Sequence, residues 1–180
     1  ETQSVIGDKQ EEIPLRLTFK AETLDRAEDQ GLTFDLKEEL KDGPVLILWV
    51  GSSCFGCHEW TNMIRESLEN GSLNESTLSM VSVHGWSGIE GSEEVMNAFG
   101  LDTNESSYAP WKIVMGKKNT PVLDYFSEQD TGYGLYEAYG NPSTPTLQLI
   151  GDNGIKMWQS KNYWANSTIL DEIWDTASKL

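Results

Sequence analysis

Apolar positions along this chain follow two patterns, one continuous and one periodic. The continuous one is VLILWV, Val45–Val50, bounded by Gly43-Pro44 before it and Gly51-Ser52-Ser53 after it. A run that short, apolar on both faces, predicts a strand in the middle of a parallel sheet. The periodic pattern follows. Trp60, Met63, Ile64 and Leu68 recur every three or four residues, so they share one face of a helix, which Gly71 stops. Ahead of the run, LTFDLKEELKDGP reads as a short strand and a helical turn. LSMVSVHGW is a second strand, and SEEVMNAFG a short helix with Ser92 as cap, acids in its first turn and Gly100 as exit. TLQLIGDNGIKMWQS predicts a hairpin, because Asn153-Gly154 suits a tight turn between strands. Ile169, Leu170, Ile173, Trp174 and Ala177 line one face of a final helix. Residues 101–120, around WKIVMG, show no clear period and read as loop. Strand, helix, strand, helix, hairpin and helix add up to an α/β sandwich.

A length of 180 residues fits one domain, 1–180, with a core large enough to need no staples. Residues 1–13, ETQSVIGDKQEEI, are polar and acidic and predict a loose N-terminal arm. An apolar content of 38% with seven tryptophans describes a globular chain and not a disordered one. The net charge of −16 argues against nucleic acid and anionic membrane surfaces as partners, since like charges repel. No apolar run approaches the ~18 residues of a membrane span. The chain opens at Glu1 with no apolar leader, so any signal or anchor is expected upstream of it. Asn70, Asn74, Asn104 and Asn166 begin N-x-S/T matches, which matter only along a glycosylating secretory route.

The chemistry gathers where the continuous pattern gives way to the periodic one. There, in CFGCH, stand the only two cysteines, Cys54 and Cys57. C-x-x-C can be a redox couple, half of a metal site or, with His58, a haem attachment point. Haem would need an axial ligand, and Met80, Met96, Met115 and Met157 offer no distinguishing context. Zinc would need a second ligand pair, but the other histidine, His84, stands alone, so no metal is assigned. The redox reading has a positive mechanism. Cys54, at a helix N-terminus, would face unpaired N–H groups and the positive end of the helix dipole, which stabilise a thiolate. Cys57, one turn on, would resolve the mixed disulfide. A redox-silent binding module stays open as the alternative, with a c-type haem protein behind it. The redox reading needs no cofactor. His58 reads as an exposed helix residue whose charged imidazole would lower a thiol pKa. His84 ends a strand, where α/β folds gather their sites, and is a second candidate for tuning the thiols.

Three stretches, LTFDLKEELKDGPVLILWVGSSCFGC, NTPVLDYFSEQDTGYGLYEAYGNPSTPTLQLIGDNGIKMW and the closing helix, resemble the thioredoxin-fold thiol–disulfide oxidoreductases. The branch they are most similar to is TlpA/ResA-like, within the AhpC/TSA–Redoxin superfamily, and the resemblance spans residues 30–180. It implies a thioredoxin-like three-layer α/β/α sandwich with a central insert and an N-terminal extension. It also implies a cis bond before Pro145 in STPT, with the other prolines trans, and a Thr144 backbone that binds an extended substrate. The implied activity is disulfide exchange with cysteine-containing protein substrates and a redox partner protein. The implied location is extracytoplasmic: periplasmic, secreted or anchored. The chain departs from the pattern in places. Ser53 replaces the aromatic residue usual before the first cysteine, and Asn62 stands near the place of the proline that kinks the helix. The acid often held near the cysteines has no counterpart before Glu90. Phe55-Gly56 matches neither the Gly-Pro of reductases nor the Pro-His of strong oxidants, so the direction of electron flow is not read. Ile47 and Gly51 stand where a peroxidase needs its Pro and Thr/Ser, and the spacing is one residue short for the related copper chaperones. The tyrosines and tryptophans of 111–139 and 158–164 are expected mostly to fill the core, some to line a groove.

Overall fold

The computed structural model describes residues 15–73, 77–103, 107–160 and 164–180; the arm expected at 1–13 lies outside them. The described chain enters through β1 (Leu17–Glu22), β2 (Thr33–Asp35) and the one-turn helix α1 (Leu36–Glu39). It then reaches β3 (Val45–Val50), helix α2 (Phe55–Glu69) and β4 (Ser79–His84). A middle section follows: α3 (Ser92–Val95), β5 (Lys112–Val114), β6 (Pro121–Asp124), β7 (Asp130–Gly134) and α4 (Leu135–Ala138). The hairpin β8 (Thr146–Ile150) and β9 (Lys156–Gln159) and the helix α5 (Ser167–Ser178) complete it.

The strand predicted from VLILWV is the centre of a five-stranded sheet ordered β5-β4-β3-β8-β9. It pairs in parallel with β4, Val50 opposite His84, and antiparallel with β8, Trp49 opposite Thr146. All six of its residues are buried, because both faces are covered. Successive side chains of a strand point to opposite faces. Leu46, Leu48 and Val50 accordingly join Trp60 and Ile64 of α2 and Leu170, Ile173 and Ala177 of α5 in one core. Val45, Ile47 and Trp49 join Phe19, Phe34, Val122, Leu135 and Tyr139 in the other. Within that second core the Trp49 indole N–H donates to Gln148 Oε1 at 2.9 Å, so its one polar atom is satisfied.

The predicted hairpin is present. It turns through Asp152–Gly154, with Asn153 at φ 62° and Gly154 at φ 74°. A Cβ on Gly154 would stand 2.1 Å from the carbonyl oxygen of Leu17, so this turn admits only glycine there.

On the second face, among the described residues, the single helical turns α1 and α4 lie beside a four-stranded sheet ordered β2-β1-β6-β7. β1 is not among the strands expected from sequence, although LTFKAE alternates apolar and polar residues over its whole length. It becomes a strand by pairing with β2 and with β6, a partner some hundred residues away. β5, at WKIVMG, is likewise a short strand recruited by β4. The helix at SEEVMNAFG is one α turn followed by a π turn, Met96–Gly100, and its cap is Gly91 instead of Ser92. Glu94 Oε1 accepts the Gly91 N–H at 2.9 Å, the return half of a capping box.

Candidate functional site

The end of β3 leads into Gly51, and its missing side chain is a requirement. A Cβ there would lie 2.3 Å from the ring of Trp86, which comes from the loop after β4. Cys54 is the N-cap of α2, at φ −81° and ψ 105°, and its sulfur accepts the Cys57 N–H at 3.1 Å. One helical turn separates the two cysteines, and their sulfurs are joined in a disulfide with Cα atoms 5.2 Å apart. Cys54 retains 7% of its exposure and Cys57 none. The first cysteine is therefore the reachable one, though less open than a free N-terminal thiol would be.

Cys54 lines an open groove with Phe55, Gly56, Trp86, Thr144, Pro145 and Trp164. Thr144 and Pro145 thus meet the first cysteine although 90 residues separate them in sequence, and the bond between them is cis. The Thr144 methyl also closes on Gly85, where a Cβ would come within 3.2 Å. Phe55 and Trp164 are exposed at 66% and 61%, and their rings meet edge to face at 5.8 Å. Of the aromatic residues in 111–139 and 158–164, Trp164 lines this groove; Trp111 and Tyr139 are core.

His58 is placed otherwise than expected, whereas His84 ends its strand as expected. His58 is part-buried, not an exposed helix residue. Its ring stacks on Phe99 at 4.6 Å, because α2 turns that face toward the π turn. Its Nε2 lies 2.7 Å from the carbonyl oxygen of Ser52, which can only accept, so Nε2 carries the proton. In the neutral ring Nδ1 then accepts from Ser107 Oγ at 2.6 Å. His84 is buried at the end of β4, and its Nε2 donates to Glu90 Oε1 at 3.0 Å.

Glu90, assigned no part from sequence, closes this arrangement. Its carboxylate accepts the Ser52 N–H at 2.7 Å and the Ser52 hydroxyl at 2.5 Å. Burial alone would raise its pKa. The hydrogen bonds from Ser52 and His84 outweigh that, and the carboxyl is held below its ordinary value. Ser52, two residues before Cys54, is thereby gripped by Glu90 on one side and by His58 on the other. No local sequence signal announces the grip, which spans 38 residues.

No family model and no curated protein matches the chain. Solved structures do. A thiol-disulfide isomerase from Corynebacterium glutamicum superposes with a TM-score of 0.60 at 13% identity, covering 95% of this chain and 99% of that one. The fold is that of thioredoxin. A secreted Mycobacterium tuberculosis disulfide oxidoreductase homologous to E. coli DsbE gives 0.55 at 15% identity, covering 90% and 96%. The reduced 2-Cys peroxiredoxin of Plasmodium vivax gives 0.58 at 14%, covering 90% and 93%. In the thioredoxin fold of this chain, the cysteine pair stands at the junction of the central strand with its first long helix.

Proposed function

We propose that this protein is a thiol–disulfide oxidoreductase that exchanges disulfides with cysteine-containing protein partners. The observation that carries the reading is the Cys54–Cys57 disulfide capping α2 at the floor of the groove that Thr144 and Pro145 edge. In the oxidising direction a partner thiolate attacks Cys54 Sγ. The Cys54–Cys57 bond breaks and Cys57 leaves as thiolate. A second partner thiolate then attacks the partner sulfur of the mixed disulfide, which releases Cys54 as thiolate and leaves the partner oxidised by two electrons. The reducing direction runs the same steps backward, with Cys57 resolving the mixed disulfide. The Cys57 N–H, directed at Cys54 Sγ, supports Cys54 as the thiolate of the reduced protein.

Thr144 would pair its backbone with an extended substrate segment, laid along the groove as an added strand. His58 and His84 would act on the thiols through the loop that holds them. The chain is read in the TlpA/ResA-like branch because the section between β4 and β8 is long enough to be that branch's central insert. One of the similar structures is described as secreted, and the resemblance to the TlpA/ResA-like branch points the same way, so an extracytoplasmic location is the accompanying proposal. No helix among the described residues is long and apolar enough to cross a membrane.

The test is trapping. Cys57→Ser removes the thiol that resolves mixed disulfides, so partners should accumulate on Cys54 as adducts released by dithiothreitol. Cys54→Ser should capture none. If Cys57→Ser yields no reducible adducts and the wild-type pair does not cycle with glutathione, the redox-silent module is the better description.

A further inference from the structure

We propose that Glu90 and His58 are positioning residues for Cys54, acting together through Ser52. This rests on the reading of Cys54 as the reactive thiol. Cys54 can cap α2 only while the loop 51–53 keeps its path, since the Cys54 N–H donates back to the Gly51 carbonyl at 3.3 Å. Ser52 lies inside that loop, and all three of its polar groups are taken. Its N–H and hydroxyl go to Glu90, and its carbonyl oxygen to His58. Each grip is itself held. Glu90, with 7% of its side chain exposed, receives His84 Nε2. His58 is fixed by Phe99 and Ser107. A helix-capping thiolate gains only when backbone N–H groups point at it, so a loop held from both sides keeps the Cys54 thiol acidic and favours its reactive thiolate.

The sign of the effect separates positioning from simple charge. A carboxylate acting by its charge repels a nearby thiolate, so neutralising it would make Cys54 more reactive. A carboxylate acting through Ser52 has the opposite effect, because its loss frees the loop and turns the Cys57 N–H away from sulfur. The measurement is the rate at which iodoacetamide alkylates Cys54 in the reduced, full-length protein near neutral pH. Glu90→Gln is expected to slow it about threefold to tenfold, a tenfold fall in thiolate being one pKa unit. His58→Ala should slow it likewise. The double variant should be little slower than either single one, because both act through Ser52. Ser52→Ala, which removes only the hydroxyl contact, should slow it less and covers the case in which Glu90→Gln does not fold. An unchanged or faster rate in these variants overturns the proposal. The rate is read on the protein alone, so it is independent of whether any partner is found.

Discussion

Glu90 sits in an environment that changes its chemistry, and it carries a pH prediction of its own. Its carboxyl is held below the ordinary 4.5 in the folded chain, because Ser52 and His84 stabilise the charged form against the cost of burial. A group depressed on folding contributes stability that is fully present above its unfolded pKa and is lost as pH falls through its folded one. Glu90→Gln removes that contribution. Denaturant midpoints followed from about pH 6 down to about pH 3 should fall more steeply in the wild type than in Glu90→Gln. Parallel lines would mean that the carboxylate is not coupled to folding. At the same scale, the groove depends on absences as much as on groups. Gly51 leaves room for the Trp86 ring, and Gly85 for the Thr144 methyl.

Helix α5 shows how an element is secured independently of the site. Asn166 caps it, its Oδ1 accepting the N–H of Thr168 at 2.8 Å and of Ile169 at 3.2 Å. Leu170, Ile173 and Ala177 are buried against the sheet, whereas Trp174 and Ile169 only reach its edge. Replacing the cap should cost about 1 kcal/mol, the usual worth of an N-cap side chain. Replacing buried Ile173 by Ala should cost about 2–5 kcal/mol, since the sheet cannot close over the space. Urea unfolding should rank Ile173→Ala well below Asn166→Ala. An inverted order would place the stability of α5 in its end, not its face. The thiol chemistry should be unchanged in both variants, because α5 contributes no residue to the groove.

At the scale of the whole molecule the charge of −16 dominates. Self-repulsion of that size weakens the compact state, and salt screens it with a Debye length falling from about 30 Å at 0.01 M to about 3 Å at 1 M. The thermal midpoint should therefore rise as sodium chloride is added across that range. A flat response would mean that the acids are already offset by local pairs such as Lys112–Glu39 and Lys37–Glu128.

Where a segment's own pattern was strong, sequence alone determined its structure. Six apolar residues in succession had to be a buried central strand, the three-and-four spacing after Cys57 had to be a helix, and Asn153-Gly154 made a hairpin. The strand and the helix place the cysteine pair, so its position was legible as well. Tertiary structure decided whatever depended on partners distant in sequence. β5 is a strand because β4 pairs with it, and β1, whose alternation is its own, finds its partners β2 and β6 only in the fold. The second face took a small sheet because β6 and β7 were available to β1. The two tryptophans of the groove, Trp86 and Trp164, line it beside Cys54 although they lie far apart in sequence. The grip on Ser52 is the sharpest case. Hydrogen bonds act over about 3 Å in space and carry no mark along the chain, so Glu90 and His58 became neighbours of one serine only when the sheet had brought their loops together.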